Sequence, residues 1–66
     1  MITEIGIVAG EIWYYLEGHG ESMFNQMVRE MGRPSSIVLM SLGWLAREGH
    51  VIVRAEGDDF RLTLRR

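Results

Sequence analysis

Apolar residues recur along the first part of the chain with the spacing of a helix. Ile5, Val8, Ala9, Ile12, Trp13 and Leu16 fall three and four apart, one stripe on a 3.6-residue period. The pattern predicts a helix over about residues 3–17, with Thr3 as its cap and Glu4 at its positive end. Trp13 belongs to the core stripe on this phase. Ile7 and Tyr14 lie on the other side, beside Gly10 and Glu11. Gly6 and Gly10 each cost about 1 kcal/mol inside a helix. Close approach of another backbone would offset that cost. Either the third helix of the same domain or a second molecule could supply it.

Glu17–Glu21, with glycines at 18 and 20, breaks the periodicity. Ser22 is placed to cap a second helix over about residues 22–31, with Met23, Phe24, Met27, Val28 and Met31 on its apolar side. The methionines at 23, 27 and 31 are expected to fill core space. Gly32 stands where a tight turn between helices needs a residue free to adopt positive φ. Pro34 and Ser35 open a third helix over about residues 35–48, with Val38, Leu42 and Leu45 as its core stripe. Gly49 ends it. From there the period changes to two. Val51, Val53 and Ala55 alternate with Ile52 and Arg54. Phe60, Leu62 and Leu64 alternate with Arg61, Thr63 and Arg65. The turn cluster Glu56-Gly57-Asp58-Asp59 lies between them, so residues 50–65 read as a β-hairpin. A very short strand near Gly20–Ser22 would complete a sheet. Three helices followed by a two-stranded hairpin is the order of a winged helix-turn-helix, an α+β fold in one domain over residues 1–66.

Composition sharpens this picture. A chain of 66 residues buries only about 60% of its unfolded surface, yet 47% of its residues are hydrophobic. Burial of some of that surface against another copy or a partner reconciles the two. There is no cysteine, which excludes disulfides and thiolate metal sites. The formal charge is −2, whereas phosphate contacts usually demand a basic excess. No apolar run approaches the roughly 20 residues of a membrane span, and no secretory leader is visible around Glu4. The expected location is the cytoplasm, with no membrane partner.

The third helix has the spacing of a recognition helix but little of the chemistry. Its face opposite the core stripe carries Ile37, Met40, Gly43 and Trp44, with Ser36, Ser41 and Arg47 as polar company. A DNA reader carries Arg, Lys, Asn or Gln there. The hairpin turn holds Glu56, Asp58 and Asp59, which repel phosphate. Arg54, Arg61, Arg65 and Arg66 lie lower on the hairpin, either as a basic strip or as a solvated face guarding the strand edge. Trp44 either packs under the hairpin or joins Met40 and Ile37 in an exposed apolar patch, the usual mark of a partner site. His19 and His50 lie in different connections, with no paired metal-ligand spacing. Serines 22, 35, 36 and 41 lack a nucleophile context, and no phosphate-binding motif follows Gly20. No enzyme, cofactor or metal is implied.

Two segments carry a likeness to a known group. Ile5-Gly6, Ala9-Gly10, Ile12-Trp13 and Leu16 form one, and Leu42-Gly43-Trp44-Leu45-Ala46-Arg47-Glu48-Gly49 the other. Together the chain resembles the small stand-alone prokaryotic winged helix-turn-helix domains of uncharacterised function. That resemblance implies a winged-helix fold and a homodimer, and no catalytic residues.

The expected function is a non-catalytic module that homodimerises and binds protein. Ile37, Met40, Trp44, Ile7, Gly10 and Tyr14 are its candidate interface residues. The alternative is a dimeric DNA-binding transcriptional regulator. There Arg33, Ser35, Ser36, Ser41 and Arg47 would enter or flank the major groove, and Arg54 and Arg61 would touch phosphates. Charge favours the first reading.

Overall fold

The computed structural model describes residues 1–66. Its elements are α1 (Ile2–His19), β1 (Ser22–Met23), α2 (Phe24–Met31), α3 (Ser35–Arg47), β2 (Val51–Glu56) and β3 (Asp59–Leu64). β3 is the central strand of a three-stranded antiparallel sheet in the order β1-β3-β2. Val51 pairs with Leu64 and Glu56 with Asp59, so the register is unbroken along the hairpin. The short strand anticipated near Gly20–Ser22 is Ser22–Met23, paired with Leu62 and Arg61. This is the three-helix, winged architecture that the alternation of periods predicts.

α1 runs two residues beyond its predicted end and starts one residue earlier. Thr3 lies inside it, and Met1 holds the cap position without a side-chain bond. Ser22 does not cap α2. It lies in β1, and its Oγ donates to the Gly20 carbonyl at 3.0 Å. The residue that serves α2 comes from far along the chain. Asp59 Oδ1 accepts from the Asn25 amide at 3.1 Å and from the Phe60 amide at 2.7 Å. A carboxylate there satisfies a first-turn amide and complements the positive end of the helix. The turn of the hairpin is thereby tied to α2, and Phe24 and Phe60 meet edge to face beside it at 6.2 Å. Gly57 has φ 62° and Asp58 has no positive φ, the pattern of a two-residue turn with glycine first. Gly32 adopts the left-handed conformation that the α2–α3 turn requires.

The core is one cluster. Val8, Ala9, Ile12 and Leu16 of α1 meet Phe24 and Met27 of α2, Val38, Leu42 and Leu45 of α3, and Val51, Leu62 and Leu64 of the sheet. Trp13 is not part of it; it is 37% exposed on the flank of α1. Met27 is fully buried, whereas Met23 and Met31 are half-buried at the rim. Val51 is buried, but Val53 and Ala55, which share its face of the sheet, are exposed. The helices end before they cover that part of β2.

Candidate functional site

α1 is apolar on both sides. One side makes the core. The other carries Ile2, Gly6, Ile7, Gly10, Trp13 and Tyr14, with Ile2 86% and Tyr14 75% exposed. Glu17, near the helix end, is the one charge on that arc, where a helix with a single packing duty would be polar throughout.

The glycines decide between the two readings of that surface. Both lie inside α1 with ordinary helical backbone. A Cβ added at Gly6 or at Gly10 would meet nothing within 4 Å beyond its own helix. They are therefore not there to admit α3, and packing within the domain does not account for them. Above them lie two adjoining hollows of about 320 and 400 Å³ between α1 and the end of α3. Gly6 and Trp44 line both. Trp13 and His50 wall the first, and Ile2 and Ile5 the second. Trp44 is 48% exposed and lines both hollows.

On α3 the outward face keeps Met40 and Leu39 exposed, the latter a large apolar residue that helical phase did not single out. Ile37 does not join that patch. It is half-buried and packs on the core. Ser41 is fully buried, with its Oγ donating to the Ile37 carbonyl at 2.7 Å, so it offers nothing to a nucleic acid. Ser35, Ser36 and Arg47 are exposed.

The arginines divide into held and free. Arg33 grips Glu11 through two bonds of 2.6 Å, fastening the α2–α3 turn to α1. Those bonds hold the Glu11 carboxyl below its ordinary range and raise the Arg33 guanidinium. Arg61 bonds Glu56 at 2.6 and 3.0 Å and Glu21 at 3.0 Å, which raises it likewise. Arg66 is bonded to Glu17 at 2.7 Å. Arg33 and Arg61 are thus engaged in ion pairs within the domain. Arg47 and Arg54 form no ion pair. At the far end of α1, Tyr15 donates to Glu30 at 2.9 Å and stacks on His19, joining α1 to α2. Burial first, and then Glu30, push the Tyr15 hydroxyl up. No group of three or more His, Asp or Glu side chains comes together as a metal site, and no helix is long and apolar enough to cross a membrane.

The model of the winged helix-turn-helix domain family DUF2582 matches residues 1–64. The chain belongs to that family. A member-sized relative, "Uncharacterized protein MJ1608" of Methanocaldococcus jannaschii, is 36% identical over 67 residues, covering 98% of this chain and 96% of its own length. No solved structure matches. For this DUF2582 winged helix, then, the α1–α3 surface is the feature in need of an explanation. Of the residues the sequence singled out, Gly10 and Trp44 line its hollows, and Ile7, Tyr14 and Met40 are exposed. Ile2 and Trp13, which also line the hollows, and the exposed Leu39 were not singled out. Ile2 lies on the outer arc of α1 beside Gly6, whereas Trp13 falls at the margin of the core stripe, where phase does not decide.

Proposed function

We propose that this winged helix is a non-catalytic cytoplasmic module that pairs with a second copy through the outward face of α1 and the groove beside Trp44, and in that form binds protein. The observation that carries the reading is the open space over Gly6 and Gly10 on a helix already packed on its other side. A helix backbone from a second copy can approach there as no side-chain-bearing surface would allow. Ile2, Ile7, Trp13, Tyr14 and Trp44 together expose roughly 700 Å², close to the about 800 Å² per partner of a standard interface. Aromatic residues at the centre of such a surface are the usual anchors. Sedimentation equilibrium across about 1–200 µM tests this, a span chosen around micromolar affinity. The expected result is a concentration-dependent dimer that Tyr14→Glu abolishes while the circular dichroism spectrum is retained. A monomer throughout the range would overturn the reading.

A DNA-binding regulator is the second reading. It is supported by the exposure of Ser35, Ser36, Arg47 and Arg54 and by the absence of ion pairs at the two arginines. It is weakened by the loss of Arg33, Arg61 and Ser41 to internal bonds. Anisotropy on labelled duplex DNA at low salt separates the two. Micromolar binding that falls steeply with salt, with a slope reduced by about one in Arg47→Ala, would favour the regulator.

A further inference from the structure

The sheet has two edges of unequal kind. β1 covers one side with two residues and runs straight into α2. β2 leaves the other side open along Val51–Glu56. The ladder decides which backbone groups face that opening. The His50 carbonyl accepts from the Arg65 amide at 2.9 Å. In an antiparallel pair the bonded positions alternate, so Ile52, Arg54 and Glu56 bond inward to β3. Val51, Val53 and Ala55 therefore direct N–H and C=O away from the sheet. No turn, loop or cap hydrogen bond engages them. Val53 and Ala55 are also exposed as side chains.

Natural sheets protect such an edge with proline, charged side chains, a bulge or shortness. β2 has no proline and no bulge, is six residues long and opens Val-Ile-Val, and its two charges, Arg54 and Glu56, both lie on the outer face, leaving Val53 and Ala55 unguarded on the other. Its one cation is Arg54, which stands opposite Arg61 on the outer face of the sheet. Glu56 and Glu21 satisfy Arg61, while Arg54 has no carboxylate.

We propose that the β2 edge takes up an extended segment of a partner protein as a fourth strand, with a carboxylate beside Arg54 and apolar side chains beside Val53 and Ala55. The backbone supplies the bonds at Val53 and Ala55, and side-chain alternation supplies the selection. A second copy of this chain fits the edge poorly. Symmetric pairing centred on Val53 sets the two Arg54 side chains diagonally across from each other. Centring on Arg54 puts them face to face, and like charges so placed are destabilising. Centring on Ala55 matches Arg54 only with Glu56, which Arg61 already holds through two bonds. The inference deepens the protein-binding half of the proposed function and does not depend on pairing through α1.

The test is an amide-resolved NMR titration of the full chain, and of its Tyr14→Glu variant, with acetyl-Lys-Thr-Val-Glu-Val-Thr-Lys-amide. Saturable shifts and slowed hydrogen exchange are expected at the Val53 and Ala55 amides, with Ile52 and Arg54 unchanged. The peptide with lysine in place of its glutamate should bind about fivefold more weakly, the effect of an opposite-charge pair on a strand. Arg54→Glu should reverse that preference. No saturation at about 2 mM peptide, below any useful affinity, or equal response at alternate residues would overturn the proposal. So would concentration-dependent protection of Val53 and Ala55 without peptide, which would give the edge to a second copy. Failure of α1 pairing registers separately, as an unchanged mass, since the variant and the parent are titrated alike.

Discussion

Replacing Gly6 and Gly10 with alanine sets two effects of opposite sign against each other. Both positions are helical, and neither has a positive φ, so alanine adopts the native backbone without strain. The added methyl meets no atom within 4 Å, so there is no steric term inside the domain. What remains is helix propensity, about 0.8–1 kcal/mol for each exchange, or about 2 kcal/mol for the pair. For a domain of this size that raises the melting temperature by about 8–16 °C. Association should move the other way. If a second α1 lies over these glycines, two methyl groups per chain occupy the space its backbone needs. The control for the stability effect is Gly43→Ala in α3, where an added Cβ is equally free. It should gain about 1 kcal/mol. Thermal unfolding at a dilution where the chain is monomeric reads the first effect, and sedimentation equilibrium the second. A double variant that associates as tightly as the parent would refute the α1 interface. One that is less stable as a monomer would refute the account of the glycines.

Three further outcomes follow from the same geometry. Asp59→Ala removes the carboxylate at the start of α2 and should lower stability by about 1 kcal/mol, measured by urea unfolding. Glu11 is held below its ordinary pKa by Arg33, so the folded state binds its proton less readily than the unfolded state. Its stabilising contribution is complete above the unfolded carboxylate range and is lost as pH falls through the folded value. Melting temperatures of the parent and Glu11→Gln should therefore differ at pH 6 and converge in acid below about pH 4, and a constant gap would be against it. Trp44→Arg and Met40→Asp change exposed side chains outside the core cluster. Trp44→Arg should raise the dimer dissociation constant at least tenfold with the fold intact, and Met40→Asp, further from the glycines, should raise it less; unchanged masses would remove both residues from the interface.

The parts of this molecule legible in its sequence are those set by local periodicity. Val8, Ile12 and Leu16, the stripe Val38-Leu42-Leu45, and the alternation through Leu62 and Leu64 all lie in the core. Trp13 shows where that signal stops. On a helix apolar all round, phase cannot say which face is inside, and a residue at the margin goes to whichever neighbour reaches it. Ser22 shows a second limit: it is the nearest side chain able to cap α2, but Asp59 does so from 34 residues away from the amide it binds. Arg33 shows the same limit in electrostatics. Its carboxylate lies 22 residues earlier, at Glu11, so nothing nearby in the chain marks it as engaged; Arg61 has a near partner in Glu56, five residues back across the hairpin, and only its bond to Glu21 is distant. The α1 site was half legible, because its glycines announce a close approach without saying by whom.

The bond from Asp59 also makes α2 depend on a residue made long after it. α2 has eight residues, well under the roughly 12–15 at which an isolated helix becomes marginal in water. Its first turn is completed by a residue from the far side of the hairpin turn. On a growing chain, α1 and α3 have each other as soon as residue 47 has emerged, but α2 is without its cap until residue 59 follows. The middle helix is thus the one whose capping waits on the hairpin turn. An error in the turn at Gly57 would be felt first not in the strands beside it but in a helix formed from residues made more than two dozen positions earlier.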